Sequence, residues 1–170
     1  DGDTIVKFAL KKDLFVTDEE FENILKHSNS NRIMSYALYL ISKNSYSKKK
    51  LSDKLLSKGF LPEVIEKVIA RFTELNYLND EIYARNLAQY LKNKMKGIYY
   101  IKNELKSHDI ENNLISDILE DIFKDAEPYL EIIEIIKKRY PKFNCKNPND
   151  AKKTASFFLR RGFKSEDIAK

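Results

Sequence analysis

Leu55-Leu56-Ser57-Lys58-Gly59-Phe60 and Phe158-Leu159-Arg160-Arg161-Gly162-Phe163 are two versions of one phrase, and Leu105-Lys106-Ser107-His108-Asp109-Ile110 is a degenerate third between them. The intervals are 50 residues from position 59 to 109 and 53 from 109 to 162. That is the spacing at which a helical supersecondary unit is copied in tandem. In each copy the glycine, or Asp109, follows a helical pattern where a left-handed residue closes a helix, and the next apolar residue folds back over the cap. Asp enters the left-handed region more readily than most side chains, so the second copy tolerates the exchange.

The apolar columns agree across the copies. Leu51, Ile101 and Thr154 correspond, as do Leu55, Leu105 and Phe158, and then Ile65, Ile115 and Ile168. These positions are expected to face a core in every unit.

Composition points the same way. With 42% apolar residues in 170, the chain can bury a core or several small ones, and 4 Gly with 4 Pro favour helices joined by short turns over a sheet protein. The lone Cys145 excludes an internal disulfide, fits a reducing compartment, and reads as an incidental thiol in a polar loop. No run reaches the ~18 apolar residues of a membrane span, and no signal peptide is visible. The chain opens on Asp1 and stops a few residues into a third helix of its last unit, so it reads as a piece of a longer protein.

These signals predict an all-α fold: three tandem three-helix repeats in an elongated array, behind a short N-terminal segment. Residues 1–30 form that segment, with a capping box at Thr17-Asp18-Glu19-Glu20 opening a short helix. Thr4 to Leu10 is compatible with strand or helix. Repeat 1 occupies 31–76, with a helix from about Arg32 to Lys43, a second capped by Ser47, and a third opened by Pro62. Repeat 2 occupies 77–123, with a long helix from Asn79 or Asp80 broken at Gly97, then helices over Tyr99 to Ser107 and Asn112 to Phe123. Repeat 3 occupies 124–170 and is incomplete, with helix starts at Pro128 and Pro148.

Charge alternates with the same rhythm. Residues 43–58 sum to +5, 61–84 to −3, 85–106 to +5, 109–134 to −8 and 137–164 to +9. The basic blocks cover most of each second helix. If the units stack regularly, a cationic stripe runs along the array, as suits a polyanion; the plainer alternative is that the lysines solvate exposed faces. Lys50, Lys54 and Lys58, at spacing four on one helix, repel one another by a few tenths of a kcal/mol per pair, a cost that a bound anion relieves. The candidate DNA- or partner-binding residues are Lys48, Lys49, Lys50, Lys54 and Lys58, then Lys94, Lys96, Lys102 and Lys106, then Lys152, Lys153, Arg160 and Arg161. Tyr99 and Tyr100, beside Gly97, stand either to stack on bases or a partner, or to be buried.

In order along the chain, Tyr46-Ser47, Leu51, Lys54-Leu55, Lys58-Gly59-Phe60, Tyr77-Leu78-Asn79-Asp80, Tyr83-Ala84, Lys96-Gly97, Ile101 and Glu104-Leu105 resemble the signature of the bacterial RecX regulatory proteins. Ile5 to Leu14 is similar to that family's N-terminal region. The chain departs from the pattern at Lys50, where an acid is expected, and at Asp13 and Asp109, where Gly is expected. The resemblance implies a cytoplasmic protein that modulates the RecA recombinase; a monomer is expected. It would bind along the RecA filament on DNA, inhibiting or destabilising it, and so affect recombinational repair and the SOS response. Some family members bind DNA themselves.

An enzyme is not expected, and neither is a cofactor or metal. His27 and His108 have no Cys or carboxylate set at ligand spacing, and no phosphate loop or nucleophile motif occurs. His108 reads as an ordinary helix-end residue favoured near the carbonyl pole. The run Glu120, Asp121, Asp125 and Glu127 reads as a solvated helix junction. A stand-alone helix-turn-helix DNA-binding protein is the main alternative, opposed by the acidic third helices, and a helical scaffold for another protein is a further one.

Overall fold

The helices follow from caps and breakers placed where the chain must turn. In a computed structural model describing residues 2–12, 14–144 and 146–170, ten helices occur in the order α1 Gly2–Lys7, α2 Asp18–Lys43, α3 Lys48–Ser57, α4 Pro62–Glu74, α5 Asp80–Asn93, α6 Ile98–Ser107, α7 Asn112–Phe123, α8 Pro128–Arg139, α9 Pro148–Arg160 and α10 Ser165–Ala169. No strand occurs among the described residues. Asp13 and Cys145, both singled out from sequence, lie outside them.

Local chemistry accounts for most helix ends. Thr17 accepts from the Glu20 N–H while the Glu20 carboxylate takes the Thr17 N–H at 2.8 Å, closing the box that opens α2. The Thr17 N–H first and the Thr17 hydroxyl second, both donating to the Glu20 carboxylate, hold its pKa below the ordinary value. Ser47 accepts from Lys50 N–H at 3.2 Å and opens α3. Pro62, Pro128 and Pro148 stand in the first turns of α4, α8 and α9, where a missing N–H costs nothing.

The three copies of the quoted phrase end alike. Gly59, Asp109 and Gly162 have φ of 89°, 60° and 85°. In each, the next residue's N–H returns to the carbonyl five positions back: Phe60 to Leu55, Ile110 to Leu105, Phe163 to Phe158. These are the bonds of a left-handed helix cap.

Two details differ from the sequence reading. Thr4 to Leu10, compatible with strand or helix, begins in α1, leaves it after Lys7 and turns at Ala9, φ 49°. The short helix at Thr17 and the first helix of repeat 1 are one 26-residue helix. No Gly or Pro interrupts residues 18–43, and the weak formers at 28–31 are held within it, Ser30 donating to Lys26 O at 2.8 Å.

The chain divides into two units, Asp1–Asn79 and Asp80–Lys170. In the first, α2, α3 and α4 enclose Ile33, Ala37, Leu40, Leu51, Leu55, Ile65, Val68, Phe72 and Leu78. Helix α1 lies on α2, where the Phe8 ring meets His27 edge-on at 5.4 Å and Thr4 Oγ1 is 3.2 Å from His27 Nδ1.

In the second unit, α5, α6 and α7 enclose a cluster that includes Ile101, Leu105, Ile115 and Ile118, while Ile132, Ile135, Phe158 and Phe163 form a smaller one around α8, α9 and α10. The repeat columns thus face cores: Leu51, Leu55, Ile101, Leu105 and Phe158 are fully buried, and Thr154 is 5% exposed. Ile168 is half-buried.

Glu131 on α8 is also half-buried, and burial pushes its carboxyl above the ordinary range, opposed by nearby Lys92 and assisted by Glu134. A carboxyl raised on folding binds its proton more tightly in the native state, so its contribution falls as pH rises through the native pKa. Glu131→Gln is therefore expected to raise the thermal midpoint at pH 7, with the gain shrinking toward pH 4. Melting curves followed by circular dichroism at the two pH values check this.

Candidate anion-binding surface

Helix α3 begins with Lys48, Lys49 and Lys50 and has no acid in its first turn. A helix N-terminus is the positive pole, where a carboxylate stabilises and a cation costs up to about 1 kcal/mol. Three cations there work against the fold and in favour of a bound anion, to which the same pole contributes. Lys49 has a marginal partner in Asp53 at 4.0 Å. Lys50, Lys54 and Lys58 are exposed and stand one position before Leu51 and Leu55, or continue that row, so they share one flank of α3. Lys48 is half-buried. Lys50 and Lys54 border a groove of about 510 Å³ with Asn44, Ser45, Tyr46, Asp53 and Ser57.

The other second helices are built differently. On α6 the positions matching Lys50, Lys54 and Lys58 are Tyr100, Glu104 and His108. His108 is 7% exposed: its Nδ1 lies 2.7 Å from the Tyr83 hydroxyl, and its Nε2 is 3.6 Å from Glu104. It stands at the end of α6, as its sequence position suggests, and is in addition a buried polar contact of the core. Burial, then the charges of Glu104 and Asp80, push the Tyr83 hydroxyl above its ordinary pKa. Lys102 and Lys106 are exposed one position after Ile101 and Leu105, on the opposite flank of α6. On α9, Lys153 and Arg160 return to the flank that α3 uses, and both are exposed; Lys152 is exposed on the side away from the core.

The remaining candidates meet at one place in the second unit. Gly97 N–H donates to Arg161 O at 2.8 Å and Tyr99 N–H to Gly162 O at 3.0 Å. The start of α6, which has no side-chain cap, is closed by carbonyls from the end of α9. The Arg161 guanidinium donates to the carbonyls of Met95, at 3.0 Å, and Lys94, and sits 5.4 Å from the Phe157 ring. Lys96 Nζ lies 3.8 Å over the half-buried Tyr100 ring, Lys94 lies 5.6 Å over Tyr90, and Tyr99 is 52% exposed. The Arg161 side chain and the Gly97 and Tyr99 N–H groups therefore hold the two repeats together. Lys94 and Tyr99 remain exposed beside them.

The acidic run stays at the surface: Asp121 pairs with Arg85 at 2.8 Å, and no group of three His, Cys, Asp or Glu among the described residues could hold a metal ion. No helix among them is long and apolar enough to cross a membrane.

Residues 34–72, spanning the last ten residues of α2, all of α3 and most of α4 and so the lysine flank, match the family described as RecX, first three-helix domain. The regulatory protein RecX of Caldanaerobacter subterraneus subsp. tengcongensis is 26% identical over 174 residues, covering 100% of this chain and 84% of that protein. Along nearly its whole length the chain is similar to RecX regulatory proteins. The regulatory protein RecX of Clostridium perfringens strain SM101 is 29% identical over 168 residues, covering 96% of this chain and 77% of that one. Among solved structures, a regulatory protein RecX superposes with a TM-score of 0.75 at 17% identity, over 99% of this chain and 83% of that one. RecX from Lactobacillus salivarius gives 0.68 at 22%, over 84% and 94%. At these identities the two superpositions establish the shared RecX fold.

Proposed function

We propose that this RecX-like chain regulates a RecA recombinase in the bacterial cytoplasm. It does so by laying the lysine flank of α3 against the phosphates or acidic surface of a RecA–DNA filament and inhibiting or destabilising it. The observation that carries this reading is the first turn of α3, Lys48-Lys49-Lys50 at a positive helix pole with no acid in that turn, continued along one flank by Lys54 and Lys58. Lys153 and Arg160 on α9 extend the same chemistry, and Lys94 with Tyr99 are secondary contacts. The chain acts by binding rather than by turnover.

Reversal of Lys50, Lys54 and Lys58 to Glu is expected to weaken binding to DNA-loaded RecA at least about tenfold while leaving helicity unchanged, and to relieve inhibition of DNA-dependent ATP hydrolysis. Unchanged inhibition would remove this surface. If phosphates are engaged, log affinity falls with log salt by about 0.9 per duplex phosphate neutralised or about 0.7 on a single strand. A flat dependence identifies a protein-only interface. Tight binding to naked duplex with no effect on RecA would favour a DNA-binding protein acting alone.

A further inference from the structure

The wall between α2 and the end of α3 holds a feature that charge counting passes over. Arg32 and Tyr36 stand one turn apart on α2, and Lys58 reaches across from the end of α3 so that its Nζ lies 5.7 Å from the centre of the Tyr36 ring. Phe60, following Gly59, sets its ring 6.2 Å from that of Tyr36, tilted by 36°. A niche of about 550 Å³ opens here, with Asp3 of α1 on its rim. Tyr36 is half-buried, while Arg32 and Lys58 are exposed. A Cβ built on Gly59 would meet nothing within 4 Å, so the end of α3 is open, whereas Gly162 in the matching position is closed by Tyr100.

We propose that this niche takes an unpaired nucleobase laid against Tyr36, with the adjoining phosphate held between Arg32 and Lys58. The proposal rests on the reading that the α3 flank meets nucleic acid. A ring packed against Phe60, with Lys58 Nζ over it and Arg32 one turn away on the same helix, suits a base and its phosphate together once Lys58 swings from the ring to the phosphate; an acidic protein side chain would use the cations and leave the ring idle. Every base has a face to stack, so the site tolerates sequence, and Asp3 can accept an N–H from a base edge. Lys54 and Lys50 follow Lys58 at steps of about 6 Å along α3, so a strand leaving the niche continues along the lysine row. Paired bases are stacked within their duplex, so the niche selects single strands.

Fluorescence anisotropy with labelled oligothymidylate and a labelled hairpin duplex, each at several salt concentrations, tests this. Tyr36→Leu, which keeps an apolar side chain on the core, is expected to lower single-strand affinity roughly five- to a hundredfold while duplex affinity and both salt slopes hold. Tyr36→Phe should bind as the parent does. Arg32→Gln, at an exposed position, should reduce the single-strand salt slope by about 0.7, which tests the phosphate contact even if Tyr36→Leu loses helicity. Single-strand binding by folded Tyr36→Leu equal to the parent's, or an unchanged slope in Arg32→Gln, overturns the niche. If reversal of Lys50, Lys54 and Lys58 abolishes binding and these variants do not weaken it, the niche falls and the lysine surface stands. If the parent chain binds neither oligonucleotide, the nucleic-acid reading falls and the niche with it.

Discussion

Replacing Gly162 by alanine is expected to destabilise the second unit by more than ~3 kcal/mol, against about 1–2 kcal/mol for the same change at Gly59. The two glycines have nearly the same backbone, φ 85° and 89°, and each closes a helix with the same pair of hydrogen bonds. Alanine therefore meets the same left-handed penalty at both, and the loss of chain entropy in the unfolded state is also the same. The surroundings differ. A Cβ at Gly59 meets open space, whereas at Gly162 it would lie 2.1 Å from the backbone N of Tyr100. A Cβ at Gly97 would lie 2.3 Å from the carbonyl carbon of Gly162. Backbone cannot swing aside as a flexible side chain does, so α9 must retreat from α6. The bonds from Gly97 and Tyr99 N–H, and the Arg161 contacts to the end of α5, are strained together. Urea unfolding followed by circular dichroism, with both alanine variants and the parent, measures the difference; equal losses at 59 and 162 would mean that no close backbone approach exists.

This contrast also shows what the sequence discloses and what it withholds. The fold is legible because each device is local: Thr17 and Ser47 cap, Pro62, Pro128 and Pro148 open helices, and Gly59, Asp109 and Gly162 close them. Each needs only a few neighbouring residues. The resemblance is legible because ordered pieces of one signature span the chain. The site is less so, because charge summed along a chain ignores helix phase. Lys50 and Lys102 fall in similar basic blocks, yet one stands just before its core residue and the other just after, and that single step puts them on opposite flanks.

The burial of His108 is hidden for a related reason. The sequence places it at a helix end, where it stands as the C-cap of α6, but says nothing of its burial. Only the fold brings the Tyr83 hydroxyl to its ring from 25 residues away. Arg161, a binding candidate by its charge, commits its guanidinium to two carbonyls at the end of α5, a pairing across more than sixty residues that no local pattern announces. The one signal available is Gly97 itself, a glycine where repeat 1 has the capping Ser47. A missing cap asks what else closes the helix.

Phe158→Ala is expected to cost about 3–5 kcal/mol, and its damage should spread beyond its own cluster. Phe158 is fully buried, with Phe157 and Phe163 edge-on at 5.1 and 5.4 Å, in a cluster of four buried residues where the neighbouring cluster of the same unit has ten. Fewer neighbours share the loss. A groove of about 540 Å³, lined by Ile132 and Phe158, already runs along this cluster between α8, α9 and α10, so deleting the ring enlarges it into the cluster. The end of α9 is held by Phe158, whose carbonyl accepts from Arg161 and Phe163 N–H. Once that end loosens, the carbonyls of Arg161 and Gly162 no longer cover the start of α6. Hydrogen exchange should accordingly show lost protection through α8–α10 and also at the Gly97 and Tyr99 amides, while the Ile115 amide in α7, bonded to Glu111 O at 2.9 Å, stays protected. If Tyr99 exchanges in the variant as slowly as in the parent, the start of α6 does not depend on the third repeat, and the carbonyl cap is incidental to it.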